Sequence, residues 1–262
     1  MLQKIKIDKE LVRQRFRRTL SSYGSNAIVQ KSMAIELSEM ICREKAEGPF
    51  NRVLEVGSGS GSLMAELLTR CSVKSYYAND LVEESLPCLH KVLESFPVEK
   101  FHFISGDIEC RDILPSALDL VVSNATLQWL DDLDDFFSTM FNHLRPGGLL
   151  AFSTFSTSNM REIASIEDVG LCYHSIEELE MLAGRYFDII VCREEEQRLE
   201  FSSPEALLHH IRQTGVNGLL RRSWTKSRYQ YFVAEYRRLF SCKNGVYLTY
   251  HPVYCCLKKK LV

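Results

Sequence analysis

Three glycines at alternate positions close the run Leu54-Glu55-Val56-Gly57-Ser58-Gly59-Ser60-Gly61. An apolar stretch, Arg52-Val53-Leu54, leads into them, and a helical pattern opens at Ser62. Lacking a Cβ, glycine adopts the left-handed backbone of a tight turn and lets the main chain lie close to a ligand. Strand, glycine turn, helix is how nucleotide-binding α/β folds set a ligand at a helix N-terminus. Here the spacing is G-x-G-x-G, not the dinucleotide G-x-G-x-x-G, and acidic Glu55 stands two residues before the first glycine. A carboxylate at that point repels a pyrophosphate and favours a ligand that carries positive charge.

The flanking pattern extends this unit to a whole fold. Residues 10–47 read as helical, with Leu11, Phe16, Leu20, Met33, Leu37, Met40 and Ile41 at spacings of three to five, broken in two at Tyr23-Gly24-Ser25-Asn26. From Asn51 the pattern alternates. Strands are predicted at 52–56, 74–79, 100–105, 118–123 and 148–154, with helices at 62–70, 81–96 and 132–144 between them. Such alternation predicts a mostly parallel, doubly wound α/β sheet. The last third offers a helix near 175–184 and two long strands, 187–201 and 246–257, separated by helices at 204–213 and 226–239. These predict an antiparallel strand pair at the sheet edge and a small helical lid over the strand ends. The expectation is a single domain, with N-terminal helices (1–47) covering the site, a core (50–155) and an inserted lid (203–240).

Composition narrows the classes. With 32 basic and 34 acidic residues, no overall basic excess supports a nucleic-acid binder. Nine cysteines are scattered without a C-x-x-C, which reads as reduced, mostly buried thiols and no metal site. No stretch approaches the roughly 20 apolar residues of a membrane span, and residues 1–10 lack the apolar core of a signal peptide. A cytoplasmic location without membrane contact is expected.

Ligands of an open α/β sheet bind at the carboxyl ends of its strands, and four predicted ends carry suitable residues. They are the Gly57–Gly61 turn, Asp80, Gly106-Asp107-Ile108, and Ser123-Asn124-Ala125. Asp80 is placed to accept two ribose hydroxyls. Asp107 could take an adenine amino group, with Ile108 against the ring. Singly, each has another explanation: the glycine turn also suits NAD, Asp80 an N-cap for a helix at Leu81, and Asp107 a turn. Together, and with Leu144-Arg145-Pro146-Gly147-Gly148, they resemble the class I S-adenosyl-L-methionine (SAM)-dependent methyltransferases over about residues 50–155. That resemblance implies a Rossmann-like seven-stranded sheet with an antiparallel last strand, and SAM as cofactor. It places Glu55, Gly57, Ser58, Gly59 and Gly61 by the methionine moiety, Asp80 and Leu81 by the ribose, and Asp107 and Ile108 by the adenine, with Asn124 nearby.

Acceptor residues carry a narrower resemblance. The Asn/Asp-Pro-Pro-aromatic motif of many N-methyltransferases is absent, and the chain reads Ser123-Asn124-Ala125-Thr126-Leu127-Gln128-Trp129-Leu130 instead. This segment, the run Arg15–Gln30, and Leu248-Thr249-Tyr250 resemble the malonyl-acyl-carrier-protein O-methyltransferases of biotin synthesis. Asn79-Asp80-Leu81 departs from that family's usual pattern, and 217–245 matches it poorly, which touches carrier docking more than chemistry. The resemblance implies methylation of the free carboxylate of a malonyl thioester. A carboxylate is already ionised at neutral pH, so no general base is needed. Tyr23, Gln128 and Trp129 are the candidate acceptor pocket, with Arg145 or a lid arginine pairing the carboxylate. Core packing would equally explain Tyr23 and Trp129, and a helix C-terminal charge Arg145. An acidic carrier protein would meet Arg221, Arg222, Lys226 and Arg228, or else Arg13, Arg15, Arg17 and Arg18; either cluster also suits a solvated helix face. The alternatives are a methyltransferase for a small free carboxylic acid or a quinone-type ring, and a SAM-binding protein without activity.

Overall fold

The computed structural model describes residues 7–45, 47–110, 114–167, 171, 173–214 and 225–260, with only the backbone of 21–25. Helices α1 (Lys9–Asn26) and α2 (Ile28–Glu44) come first. Their break falls at Ala27, whose φ of −81° and ψ of 57° leave the helix, and α1 continues through the predicted breaker at 23–26. A glycine inside a helix costs only about 1 kcal/mol, and packing of α1 on the later helix α8 outweighs it.

The alternation then runs β1 (Phe50–Val56), α3 (Ser62–Arg70), β2 (Val73–Asp80), α4 (Leu86–Ser95), β3 (Lys100–Ser105), β4 (Leu118–Asn124), α5 (Leu133–His143) and β5 (Leu144–Phe155). A short α6 (Arg161–Ile166) and α7 (Ile176–Ala183) lead to β6 (Phe187–Glu194), β7 (Gln197–Phe201), α8 (Pro204–Gln213) and α9 (Lys226–Leu239). Strands β8 (Ser241–Cys242), β9 (Gly245–Tyr250) and β10 (Pro252–Lys259) complete the described chain. Side-chain oxygens of Asp132, Ser175, Ser203 and Thr225 cap α5, α7, α8 and α9, satisfying amides the helices leave open.

Seven strands form one sheet in the order β3-β2-β1-β4-β5-β10-β6, parallel except for β10, which is antiparallel to both its neighbours. Central strands alternate sides with period two. Val53, Leu120, Val122, Leu149 and Ala151 join the layer with α2 and α3. Leu54, Val56, Val121, Leu150 and Phe152 join the layer with α5 and α7. Both predicted long strands are in fact divided. The 187–201 strand breaks at Glu195-Glu196 and the 246–257 strand at His251, and β7, β9 and β8 form a separate three-stranded sheet. Pro252 has no N–H to continue a ladder, while its carbonyl accepts the Glu195 amide at 3.0 Å. The antiparallel ribbon thus bends away from the main sheet at one level. Three of the eight described cysteines, Cys71, Cys255 and Cys256, are buried, fewer than expected.

Candidate active site

The site is assembled at the carboxyl ends of β1, β2, β3 and β4. Gly57, Gly59 and Gly61 have φ of 73°, 51° and 80°, the left-handed region that favours glycine. The Gly57 and Ser58 amides both donate to Asn79 O at 2.9 Å, which ties the turn to the end of β2. Asp80 completes the tie: its carboxylate accepts the Gly59 amide and the Val82 amide, each at 2.7 Å. Asn79 Nδ2 donates to the carbonyls of Ile104 and Gly106 at 3.0 Å, joining β2 to the end of β3. Asp80 thus closes a local turn, but not as the N-cap of a helix at Leu81: the next helical turn is Glu83–Ser85 and α4 starts at Leu86, neither with a side-chain cap. Because a carboxylate offers about four lone pairs, two remain for a ligand hydroxyl pair.

A cleft with about 1070 Å³ of empty space, its open mouth included, lies over these ends and extends to Asn124 and Trp129. Every predicted cofactor residue except Gly61 lines it; Gly61 instead starts α3, with a Cβ position 2.9 Å from Val92 Cγ2. Glu55 is almost wholly buried and accepts from Tyr76 Oη at 2.8 Å. Burial pushes its carboxyl up to about 8, against the opposing hydrogen bonds from Tyr76 and Ser58. Burial likewise raises Asp80, opposed by the Val82 and Gly59 amides. Asp107 accepts the Glu109 amide at 3.1 Å and lies 3.4 Å from Lys9 Nζ, which also bonds Glu109. The start of α1 is thereby fastened to the cleft rim. Asn124 Nδ2 donates to Gln30 O at 2.9 Å and its Oδ1 accepts from Ser153.

At the end of β4 the chain turns through Ala125, whose φ of 51° is rare for a residue with a Cβ. Its amide bonds Ser153 O at 2.9 Å and its carbonyl accepts Gln128 Nε2 at 2.7 Å. Gln128 Oε1 in turn accepts from Thr154. A second, smaller recess, with about 310 Å³ of empty space when the open solvent at its mouth is included, adjoins the cleft and shares Phe16, Gln30, Ala125 and Trp129 with it. Gln128 and Trp129 therefore come together beside the cleft, with Phe16 packed edge-on to Trp129 at 5.6 Å.

Arg145 is a correction. It sits at the start of β5, where it pairs with the buried Asp119 at the start of β4, and it lines neither cavity. Helix-to-strand turns of a parallel sheet lie at the strands' amino ends, opposite the site. Arg145→Ala should leave the acceptor KM within about twofold. Asp119 keeps the Asn51 and Arg52 amides at 2.6 and 2.8 Å and Arg145 is half exposed, so thermal unfolding should report a loss of only about 1 kcal/mol. Arg228 is likewise already engaged, by the buried Glu167. The Tyr23 side chain, Arg221 and Arg222 lie outside the described residues, while Lys226 is exposed. Sequence reasoning missed Tyr76 and the second recess with Phe16, Gln30 and Tyr173, because no local spacing announces them.

Strand order, glycine turn and acid-ended strands define a class I methyltransferase-type fold. Residues 54–152 match the family model described as "Methyltransferase domain". Among solved structures, YcgJ from Bacillus subtilis superposes with a TM-score of 0.62 at 11% identity, over 87% of this chain and 99% of that one. N-methyltransferase NodS from Bradyrhizobium japonicum, in complex with S-adenosyl-L-homocysteine, gives 0.56 at 13% identity over 95% and 99%. At such identities these show the fold alone. Curated relatives are much nearer. "Malonyl-[acyl-carrier protein] O-methyltransferase" of Chlorobium luteolum is 53% identical over 97% of this chain and 96% of its own length. The protein of the same name from Prosthecochloris aestuarii is 46% identical over 97% and 94%. The chain belongs to the malonyl-[acyl-carrier protein] O-methyltransferase family. SAM is the co-substrate of such an enzyme. The cleft fits it: Gly59 has nothing within 4 Å of its Cβ position, so main chain is bared to a ligand, and a buried acid faces the space. Among the described residues, no helix is long and apolar enough to cross a membrane.

Proposed function

We propose that this chain transfers a methyl group from SAM to the free carboxylate of a malonyl thioester carried on acyl-carrier protein, an early step of biotin synthesis. The observation that carries this reading is the 53% identity over nearly the full length of both chains to a relative of that name. SAM supplies an activated methyl on a sulfonium. The residues' part is to bind, orient and keep water out. In this reading Glu55 balances the ligand's positive charge, Asp80 holds the ribose, and Asp107 with Ile108 holds the adenine. Phe16 and Trp129 close the acceptor side, where exclusion of water favours a step that disperses charge. Methyl transfer needs alignment of nucleophile and methyl more than it needs a base.

The test is to mix the purified protein with SAM and malonyl-acyl-carrier protein and look for the methyl ester by mass spectrometry. Restored biotin-independent growth of a strain lacking its malonyl methyltransferase is the matching result in cells. Ester formed on free small acids but not on the carrier-bound thioester would favour the small-acid alternative. The carrier is acidic, and its docking surface in this reading is Arg221, Arg222 and Lys226, with Arg228 set aside because it holds Glu167. Arg221→Glu with Arg222→Glu should raise KM for the carrier-bound acceptor about tenfold and leave SAM affinity unchanged; unaltered kinetics reject this surface.

A further inference from the structure

The second cavity beside Trp129 is lined by no charged side chain among the described residues. In the proposed function this recess, beside Gln128 and Trp129, is the candidate place for the acceptor's carboxylate. Tyr173 stands on its wall, held edge-on against Phe155 at 6.4 Å. Asn159 Nδ2 donates to Tyr173 Oη at 2.9 Å. The direction of that amide is fixed, since Asn159 Oδ1 accepts the His251 amide at 3.2 Å and an amide oxygen cannot donate. Tyr173 Oη is thus an acceptor towards Asn159, and its own hydrogen is left over. No acceptor for that hydrogen occurs among the described residues. Burial pushes the phenol up to about 12, against the Asn159 bond, so it remains a donor at neutral pH.

We propose that Tyr173 donates this hydrogen to the acceptor's carboxylate in the second cavity, with Asn159 as the positioning residue that fixes the phenol. The inference rests on the proposed carboxylate acceptor and goes beyond it by naming what holds that group. A neutral donor suits the reaction. The attacking oxygen forms a bond to the methyl carbon as the carbon–sulfur bond breaks, its electron pair returns to sulfur, and no proton moves. Negative and positive charge vanish together, so a guanidinium would stabilise the charged ground state more than the transition state. A phenol on the other carboxylate oxygen orients the group and leaves the attacking oxygen free.

The experiment compares wild type with Tyr173→Phe and Asn159→Asp. Isothermal titration reads the Kd for malonyl-pantetheine, for malonate and for SAM; turnover is followed with malonyl-acyl-carrier protein. Tyr173→Phe keeps the ring and removes only the hydroxyl. It should raise the malonyl-pantetheine Kd and the acceptor KM about tenfold or more, with kcat changing less and SAM affinity unchanged, while Tm falls modestly because the buried Asn159 amide loses its acceptor. Asn159→Asp exchanges the donor for an acceptor that draws the phenol hydrogen away from the cavity. It should weaken acceptor binding at least as much, with Tyr173 intact and SAM binding normal. Unchanged acceptor affinity in Tyr173→Phe overturns the inference, as does a loss of SAM affinity in parallel, which would mark a purely structural role. A wild type that methylates no malonyl thioester overturns the proposed function instead. The inference is then decided by malonate: a Kd weakened by Tyr173→Phe upholds it, and equal affinities or no binding to either protein overturn it.

Discussion

Gly57→Ala should weaken SAM binding by at least about 100-fold, or about 3 kcal/mol, as read by isothermal titration. The first cause is conformational: at φ 73° an alanine costs roughly 1–2 kcal/mol. The second is steric. A Cβ at this position lies 2.2 Å from Thr126 Oγ1, 2.5 Å from its Cγ2 and 2.8 Å from its Cβ. Rotating the threonine moves the first two atoms but not its Cβ, so main chain must shift. Either the 57–61 turn or the segment after β4 has to yield, and both line the cofactor cleft. Gly59→Ala is the informative comparison. Its Cβ would meet nothing within 4 Å and would project into ligand space, so that variant has the conformational cost at φ 51° but no clash, and should still bind SAM poorly. Adding Thr126→Gly to Gly57→Ala removes all three contacts and should restore part of the affinity, leaving the conformational cost. Wild-type affinity in the Gly57→Ala protein would sink this account of the turn.

Why the cleft lining by Gly57, Asp80 and Asp107 was legible while the second recess was not follows from how each is built. The cleft depends on strand ends, and an apolar run followed by glycine or acid marks a strand end within a few residues. Register then does the rest, since β1 pairs β2 from Phe50↔Val73 to Val56↔Asn79. The second recess joins Phe16 and Gln30 of the N-terminal helices to Gln128, Tyr173 and Tyr250. Residues so far apart in sequence share no local period. Arg145 misled because it is near the glycines of a family-like turn in sequence, although a parallel sheet places that turn at the opposite end of the strands. The two long strands misled for a related reason. The ladder changes sheets at Glu195-Glu196, inside the unbroken polar run Arg193–Arg198, and at His251, where alternation does continue; period-two patterning does not report which partner a strand has.

Glu55→Gln should abolish the pH dependence of SAM affinity and weaken binding at pH 7.5 by about ten- to a hundredfold. In the free protein the Glu55 carboxyl is raised from 4.5 to about 8 by burial, and the groups facing it add no positive charge: Tyr76, Ser58 and Asp80. Tyr76 itself is pushed up by burial and by the neighbouring acid, so it stays a neutral donor. A ligand cation requires the ionised form. Wild-type affinity should therefore rise about tenfold per pH unit between pH 6 and 7.5; above that, the ligand's own α-amino group, ordinarily near 7.7–8.0, begins to lose its charge. Stability has the opposite sign. A carboxyl with a raised folded pKa keeps its proton in the folded state while the unfolded chain has lost it. The free protein is then favoured at low pH and loses stability as pH rises from about 4.5 through about 8, by on the order of a few kcal/mol. Glutamine resembles the protonated acid and can still accept from Tyr76, so the variant's Tm should lose this share of the pH dependence and exceed the wild type's at its upper end. A SAM affinity in wild type that is level from pH 6 to 7.5 would remove Glu55 from the charge balance. A variant that gains stability while losing affinity would identify the buried acid as a group kept for the ligand at the expense of the fold.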